Sequence, residues 1–555
     1  MNSFDVIVIG GGGAGAAAAV AARRAGARVA LLSKEPAGYG DTRIAEGAFA
    51  YPGRTAEDSP EFFCQDIKRS GEQLCDDDLV QTLARESEAG IYNIEEFGYL
   101  FRRDTEGRLS SKTAYKVGGH STARAIIGAG RGINIGVTVR AACARAGVTV
   151  IEDTMAVRLL VMGGRVAGVQ VYDFNRGEYE VLSGRAVILA TGGTGWLYYP
   201  HTDCSRSVTG DGFALALQAG ASLVEMEQVQ FMPFAITHPD SMVGIMCGEP
   251  ASAGPHGRLI DCEGKVVLDG VQNFNRAQVT RVMAQALKEG RGGPHGGLFL
   301  DMAPNLEAPG GMAMWQAYSK AAPMMKTVRA AYGEDAYHWK TPWEVLPTAH
   351  YHMGGVRADA NGNTGIPGLY AAGGVQGGVH GGNRLGSVAL TEIFVFGRRA
   401  GEAAAQEALA AADNGANVAP PELASPAVMP GRKGRHRPIQ LVRRLQKTMW
   451  ECVGPVRDEQ GIRAGLGELD RLEEESADLA IGSGKRCNQE MRDALELPLM
   501  LLTARAIMAS ALERRESRGA HLRSDFPESA PETFHTIARL TEQRRLSIMQ
   551  ERIAQ

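Results

Sequence analysis

The first apolar run, Val6–Ile9, has no alternation of polar and apolar positions and ends on glycine. Such a run predicts a short strand buried on both faces, as in a parallel sheet. Five glycines follow among residues 10–15, then an Ala-rich stretch to about Ala25, with Gly26 placed to end a helix, and a second strand pattern at Arg28–Leu32. Strand, glycine turn, helix and strand together predict a βαβ unit. Val148–Ile151, Ala156–Val161, Arg165–Tyr172 and Ala186–Ala190 read as strands, and 208–218 as a helix. Residues 226–345 lose any clear period and are rich in Met, Pro and Gly, which suggests an inserted domain. Strand signals resume at Leu369–Ala372, followed by a glycine-dense turn and a helix at Ser387–Leu409.

Beyond an Ala/Pro/Asn stretch at 411–430, helical periodicity covers 439–452, 456–475 and 487–515. In the last of these Leu495, Leu499, Leu502 and Ala506 share a face, while Pro498 predicts a kink or a fresh helix start. The basic cluster Arg432–Arg437 reads as a solvated hinge. The expected fold class is α/β. A Rossmann-type domain in two parts, 1–225 and 346–412, surrounds an inserted α+β capping domain at 226–345. A linker at 413–438 and a helical C-terminal domain at 439–555 follow.

Composition narrows the function. Hydrophobic residues make up 44%, too many for a disordered chain, and 59 basic against 63 acidic side chains leave no basic footprint for nucleic acid. No uninterrupted apolar run reaches the roughly 20 residues of a membrane helix, and Val6–Ile9 lacks the basic start of an export signal. Eight scattered cysteines without a Cys-x-x-Cys pair suggest reduced thiols, a cytoplasmic location and no iron–sulfur ligand set. The histidines and thiols show no metal-ligand spacing, so no metal site is expected. Glycine is in excess, 70 of 555 residues against roughly 7% on average.

Much of that excess lies in turns after strands. Gly10-x-Gly12-x-x-Gly15, with Gly13 and Ala14 between, follows a strand and opens a helix, so its free N–H groups suit a pyrophosphate. The ribose-binding acid expected about 20 residues later is replaced by Ser33, followed by Lys34. Ala190-Thr191-Gly192-Gly193-Thr194-Gly195 and Leu369-Tyr370-Ala371-Ala372-Gly373-Gly374 repeat the theme. Three such turns split around an insertion favour FAD over NAD.

With these blocks in view, the sequence resembles the flavoprotein subunits of succinate dehydrogenase and fumarate reductase and their relative L-aspartate oxidase. The likeness covers nearly the whole chain. It rests on Leu31–Lys34, Gly118-Gly119-His120-Ser121, Ala190–Gly195 and Thr209-Gly210-Asp211-Gly212. More specific are Thr348–Gly355 and His380-Gly381-Gly382-Asn383-Arg384-Leu385-Gly386, and Met449–Gly454 and Glu516–His521 look like the family's C-terminal domain. The resemblance implies hydride transfer between flavin N5 and a C–C or C=C bond beside a carboxylate. It implies a proton moved through Arg276, and a carboxylate held by His350 and Arg384 with His380 nearby. It also implies a cofactor held by the glycine turns together with Ser387 and Val388, and electrons exchanged with a separate iron–sulfur or other redox subunit, peripheral to any membrane.

Departures from the family pattern bear on substrate and flavin. The histidine of Gln-Phe-His-Pro is Met232, in Gln230-Phe231-Met232-Pro233-Phe234. The Thr-Glu-x-x-Arg relay has lost its threonine and arginine in Ile245–Ala253, leaving Glu249 as a stand-in acid, and Ala277 follows the catalytic arginine. With Met232 and Phe234 in place of donors, a second carboxylate would face apolar groups, a costly burial. The expected substrate is therefore a carboxylate with a less polar far end and not plain succinate or fumarate. No histidine precedes His120, so the histidyl–FAD bond of the membrane complexes cannot form, and a non-covalent flavin of lower potential is expected. Gly374 replaces an acid, and Val388-Ala389 replaces Asn-Ser, leaving backbone amides to hold the flavin. Two other readings stand beside this one: an adenylylsulfate-reductase-like flavoprotein and a non-catalytic flavin electron-transfer subunit.

Overall fold

The computed structural model describes residues 3–53, 57–107, 109, 116–321, 324–413 and 428–553. Its central sheet runs Thr149–Ile151, Val29–Leu32, Ser3–Ile9, Glu178–Leu189, Arg165–Asp173, Thr154–Met162. The first four of these strands are parallel, and the last two complete an antiparallel ribbon with the long strand Glu178–Leu189. Leu369–Ala371 joins the same long strand in parallel at Val187–Leu189, which returns the chain to this sheet after the insertion. Val6, Ile7, Val8 and Leu31 are fully buried, as their unbroken apolar run requires.

Two helices, Gly13–Arg24 and Val388–Asp413, pack on one another through small residues. A Cβ at Gly397 would lie 2.6 Å from the Ala14 carbonyl oxygen, and one at Gly401 only 2.2 Å from that of Ala18. The glycines therefore set the distance between the helices.

The segment without a sequence period holds a six-stranded antiparallel sheet, ordered Met246–Gly248, Val229–Ile236, Trp343–His352, Leu298–Asp301, Arg258–Ile260, Val266–Leu268. Most of these strands are three or four residues long, and several pairings carry register shifts, so no period survives in the sequence. The strand Trp343–His352 runs straight through the expected boundary at 345/346, tying the cap to the second part of the flavin domain.

The C-terminal region contains the helices Pro438–Val453, Glu459–Ser476 and Gln489–Glu513. One helix continues through Pro498, so no fresh helix starts there; Leu497, Leu499, Met500 and Leu501 around it are all buried. This helix is long and apolar enough to cross a membrane by composition, yet it serves as the core of the three-helix layer. A hairpin, Phe534–Leu540 with Leu546–Arg552, follows and joins Leu223–Val224 and Gly355–Val356 in a four-stranded sheet. Of the expected linker, 414–427 lies outside the described residues. The basic cluster beside it is not a free hinge: Arg435 pairs with Asp478, Arg437 with Glu490, and Arg432 donates to the Ala477 carbonyl.

Candidate active site

The three glycine turns meet at the C-terminal ends of the parallel strands. Gly10, at φ +118°, leaves no room for a side chain, since its Cβ would fall 2.1 Å from the Ala190 carbonyl oxygen. Gly15 is equally constrained, with a Cβ position 1.9 Å from the Gly10 oxygen, so it packs helix on turn. Gly12 differs: its Cβ would meet only the Thr42 hydroxyl, at 3.3 Å, leaving the turn open on the side a pyrophosphate approaches. Gly13 faces Ile393, and its N–H donates to Thr42 Oγ1 at 3.0 Å. Gly374 approaches Gly192 and Gly193, and Gly373 approaches Ala14, which closes the cradle.

Around it lie buried polar atoms with no hydrogen-bond partner among the described residues: Thr191 Oγ1, Asp211 Oδ1, His380 Nδ1 and Arg384 Nε. Burial pushes the Glu392 carboxyl up to about 8. Buried polar groups seldom remain unpaired in native proteins. A glycine cradle rimmed by several of them fits a large polar cofactor such as FAD.

Some expected contacts are taken by the protein itself. Lys34 places its ammonium 3.1 Å from Asp211 Oδ2 and 3.0 Å from Glu496, so these charges join the flavin domain to the C-terminal helix. Glu496 is held down to about 2: burial opposes this, but Lys34, Arg206 and Arg492 outweigh it. His120 accepts from Arg124 at Nδ1, 3.0 Å, which leaves Nε2–H donating to the Gly386 carbonyl at 2.8 Å. With both nitrogens used and its pKa lowered to about 4, chiefly by burial, His120 is a neutral brace for the loop that carries Arg384. Gly118 and Gly119 pack that segment against Ala251 of the cap and against Leu385. Ser33 is buried beside Gly11, Ser387 has positive φ, and Val388 lies in the core.

The residues expected on the substrate side gather where cap and flavin domain meet. Asn275 caps the helix Arg276–Lys288, with its side chain accepting from the Gln278 N–H. Arg276, in the first helical position, reaches Glu249 Oε2 at 2.7 Å and Gln230 Oε1 at 3.3 Å. Burial would raise the Glu249 pKa, but the Arg276 guanidinium holds it below the usual carboxylate range. Ser252 donates to the Glu249 carbonyl and accepts from its N–H, fixing the turn from which that side chain projects.

Gln230 carries a role that its sequence motif does not reveal. Its amide donates to Asn383 Oδ1 and to the Arg384 carbonyl, so it links Arg276 to the clamp loop. Arg384 lies with its guanidinium 4.9 Å from the Tyr351 ring centroid. Burial lowers its pKa to about 10, so it remains charged at neutral pH. Tyr351 also pairs with His380 Nε2 at 3.3 Å; burial lowers His380 to about 3, so it stays neutral, with Nδ1 unpaired. His350 is oriented by a further residue with no sequence signal, Asp203, whose Oδ2 lies 2.8 Å from Nδ1. The neighbouring Asp41, accepting from the Ser205 N–H, is raised to about 6, chiefly by burial.

Met232 is fully buried opposite Thr348. It alternates with Phe231, which packs on Tyr198 and Trp450, and so shares the face of Gln230. Phe234 is a correction. The register shifts between Met232 and Ala235, around Pro233, and Phe234 turns into the cap's own core with Cys247, Leu298 and Trp343. It is not positioned to line the site.

Comparison with known proteins agrees with this construction. A family model described as an FAD binding domain matches residues 5–390, and one described as the fumarate reductase flavoprotein C-terminus matches 442–554. The chain belongs to the fumarate reductase/succinate dehydrogenase flavoprotein family. It is an FAD-dependent oxidoreductase of the group that acts on CH–CH bonds. A fumarate reductase (CoM/CoB) chain of Methanothermobacter marburgensis is 34% identical over 505 residues, 90% of each chain. L-Aspartate oxidase of Streptomyces coelicolor is 31% identical over 562 residues, covering 98% of this chain and 93% of its own. Mycobacterium smegmatis Sdh1, solved in complex with UQ1, superposes with a TM-score of 0.87 at 30% identity, covering 100% of this chain and 95% of its own. Adenylylsulfate reductase of Archaeoglobus fulgidus, at 20% identity and TM-score 0.76, covers 100% of this chain and 96% of its own, and shares the fold.

Proposed function

We propose that this flavoprotein interconverts an enoate and its saturated counterpart, holding one carboxylate firmly and accepting a less polar group at the far end. The observation that carries this reading is the Arg276–Glu249 pair close to Arg384, whose Nε, like Nδ1 of His380, has no hydrogen-bond partner among the described residues. A carboxylate between those donors would complete them with charge-assisted hydrogen bonds, and His350, whose Nδ1–H is given to Asp203, would add a third from Nε2–H in its doubly protonated form. FAD, when bound in the glycine cradle, supplies hydride exchange at the carbon the clamp presents. Arg276 delivers or removes the proton at the neighbouring carbon, and Glu249, 2.7 Å away, resets its protonation. Met232 carries no hydrogen-bond donor for a second carboxylate, which supports an apolar far end.

The flavin is held without a histidyl bond, because no histidine lies between Lys34 and His120. Acid precipitation then leaves the yellow colour in solution. Electrons are exchanged with a separate redox subunit, since this chain has no cluster-binding cysteine spacing. The deciding assay follows reoxidation of the dithionite-reduced flavin by a panel of enoates. Monocarboxylic enoates with apolar ends are expected to react faster than fumarate. Fumarate reacting as fast as any other member would overturn the substrate reading.

A further inference from the structure

We propose that His238, His295 and Glu344, in the capping domain, form a binding site for a divalent cation of the zinc class. The three residues are separated by 57 and 49 positions in the chain and show no motif spacing. The fold brings one ligand atom of each within 4.8 Å of the others, and among the described residues this is the only such group of three. His238 follows the end of the strand Val229–Ile236, Glu344 lies on Trp343–His352, and His295 sits in the turn between the helix Arg276–Lys288 and the strand Leu298–Asp301.

The carboxylate is fixed in advance. Glu344 Oε1 accepts the backbone N–H groups of His295 and Gly297, at 3.0 and 2.8 Å, and Oε2 lies 2.8 Å from His295 Nδ1. Gly293 makes room for it, since a Cβ there would come within 2.8 Å of Oε1. His238 is set by Tyr332, whose ring meets it edge-on at 4.7 Å, and Tyr332 is anchored in turn on the Glu344 carbonyl. Two imidazoles and one carboxylate with solvent at the remaining positions are a donor set typical of zinc with an open coordination place.

One rearrangement is required. The two imidazole rings stack at 4.0 Å and 19°, and rings so placed cannot both aim an in-plane lone pair at one ion between them. His295, whose side chain is 43% exposed, has room to turn once Nδ1 leaves Glu344 Oε2, whereas Glu344 is buried. Binding therefore contracts the 4.8 Å group toward the roughly 3.4 Å ligand spacing of a tetrahedral ion with bonds near 2.1 Å. Glu344 is six residues from His350 on one strand, roughly 20 Å at about 3.3 Å per residue. At that distance the ion touches no reacting atom, and its work is to clip three segments of the cap together.

The holoenzyme, stripped with a chelator, would be titrated with Co2+ and with Zn2+ alone. One equivalent is expected to bind, with visible d–d absorption for Co2+ and a rise in thermal midpoint for Zn2+. Both signals should be lost in His295→Gln and His238→Gln. They should persist in Cys262→Ser and Cys487→Ser, which remove the exposed thiols. Flavin absorbance and the metal-free midpoint serve as the folding control for His295→Gln, whose exposed ring can be replaced without opening the core. No stoichiometric binding, or binding that survives His295→Gln and disappears with the thiols, would overturn the proposal.

Discussion

Replacing Glu249 by Gln tests the proton path most directly. The substitution keeps size and hydrogen-bonding ability but removes the charge 2.7 Å from Arg276. At an effective dielectric constant near 20, two unit charges at that distance attract by about 6 kcal/mol before desolvation is counted against them. The side chains are 12% and 20% exposed, so solvent screens little. Removing one partner of a buried pair costs about 3–5 kcal/mol, and the retained amide places this case at the lower end, about 3 kcal/mol. The sign with pH follows from Glu249 lying below its ordinary value of 4.5 in the folded protein. Its contribution is fully present above that value and is lost as pH falls through the lowered one. The stability gap between parent and variant should therefore be widest at neutral pH and close in acid.

For turnover, positioned acid–base groups contribute about 10²- to 10⁴-fold, so kcat should fall by about 10²-fold or more. KM and flavin content should change little, because the clamp of Arg384, His350 and His380 is untouched. Steady-state kinetics against the best enoate from the panel, with Glu249→Asp as a partial rescue, gives the readout. A Glu249→Gln enzyme that turns over like its parent would reduce Glu249 to a tether for Arg276 and refute the relay.

Met232→His should restore a donor at the far end of the substrate. A hydrogen bond to a charged group contributes about 1.5–3 kcal/mol. The ratio of kcat/KM for fumarate over a monocarboxylic enoate should thus rise by about 10- to 100-fold. Gly12→Ala should fold but bind FAD more weakly, measured by flavin retention on dilution, whereas Gly15→Ala should fail to fold, given a Cβ 1.9 Å from the Gly10 oxygen. Lys34→Met leaves Asp211 and Glu496 without a shared cation, although Glu496 keeps Arg206 and Arg492. A loss of about 1–3 kcal/mol in denaturant titration at neutral pH is expected. This difference should shrink between pH 4.5 and about 2, as Glu496 takes up its proton.

Local signals carried much of this architecture. An apolar run ending in glycines is read the same way whatever surrounds it, because a both-faces-buried strand and a Cβ-free turn are properties of a few adjacent residues. Hence the βαβ unit at residues 3–32, the return strand near 369 and the three C-terminal helices are legible in the chain itself. The cap is not: strands such as Arg258–Ile260 are too short to show a period, and Pro233 sits inside one of them. Even the direction of a side chain escapes there, as the register shift that turns Phe234 into the core shows.

Sequence alone thus determined the cofactor class and the family, because glycine turns and motif blocks are contiguous. Only tertiary structure decided which charges remain free for chemistry. Lys34 and Asp211, both beside cradle motifs in the sequence, neutralise one another with a third group more than 280 positions away, Glu496. Glu249 and Arg276, Asp203 and His350, and the three ligands in the cap were brought together by packing across the chain. Electrostatic pairing depends on distances of a few ångströms in space, and separation along the chain carries no record of them.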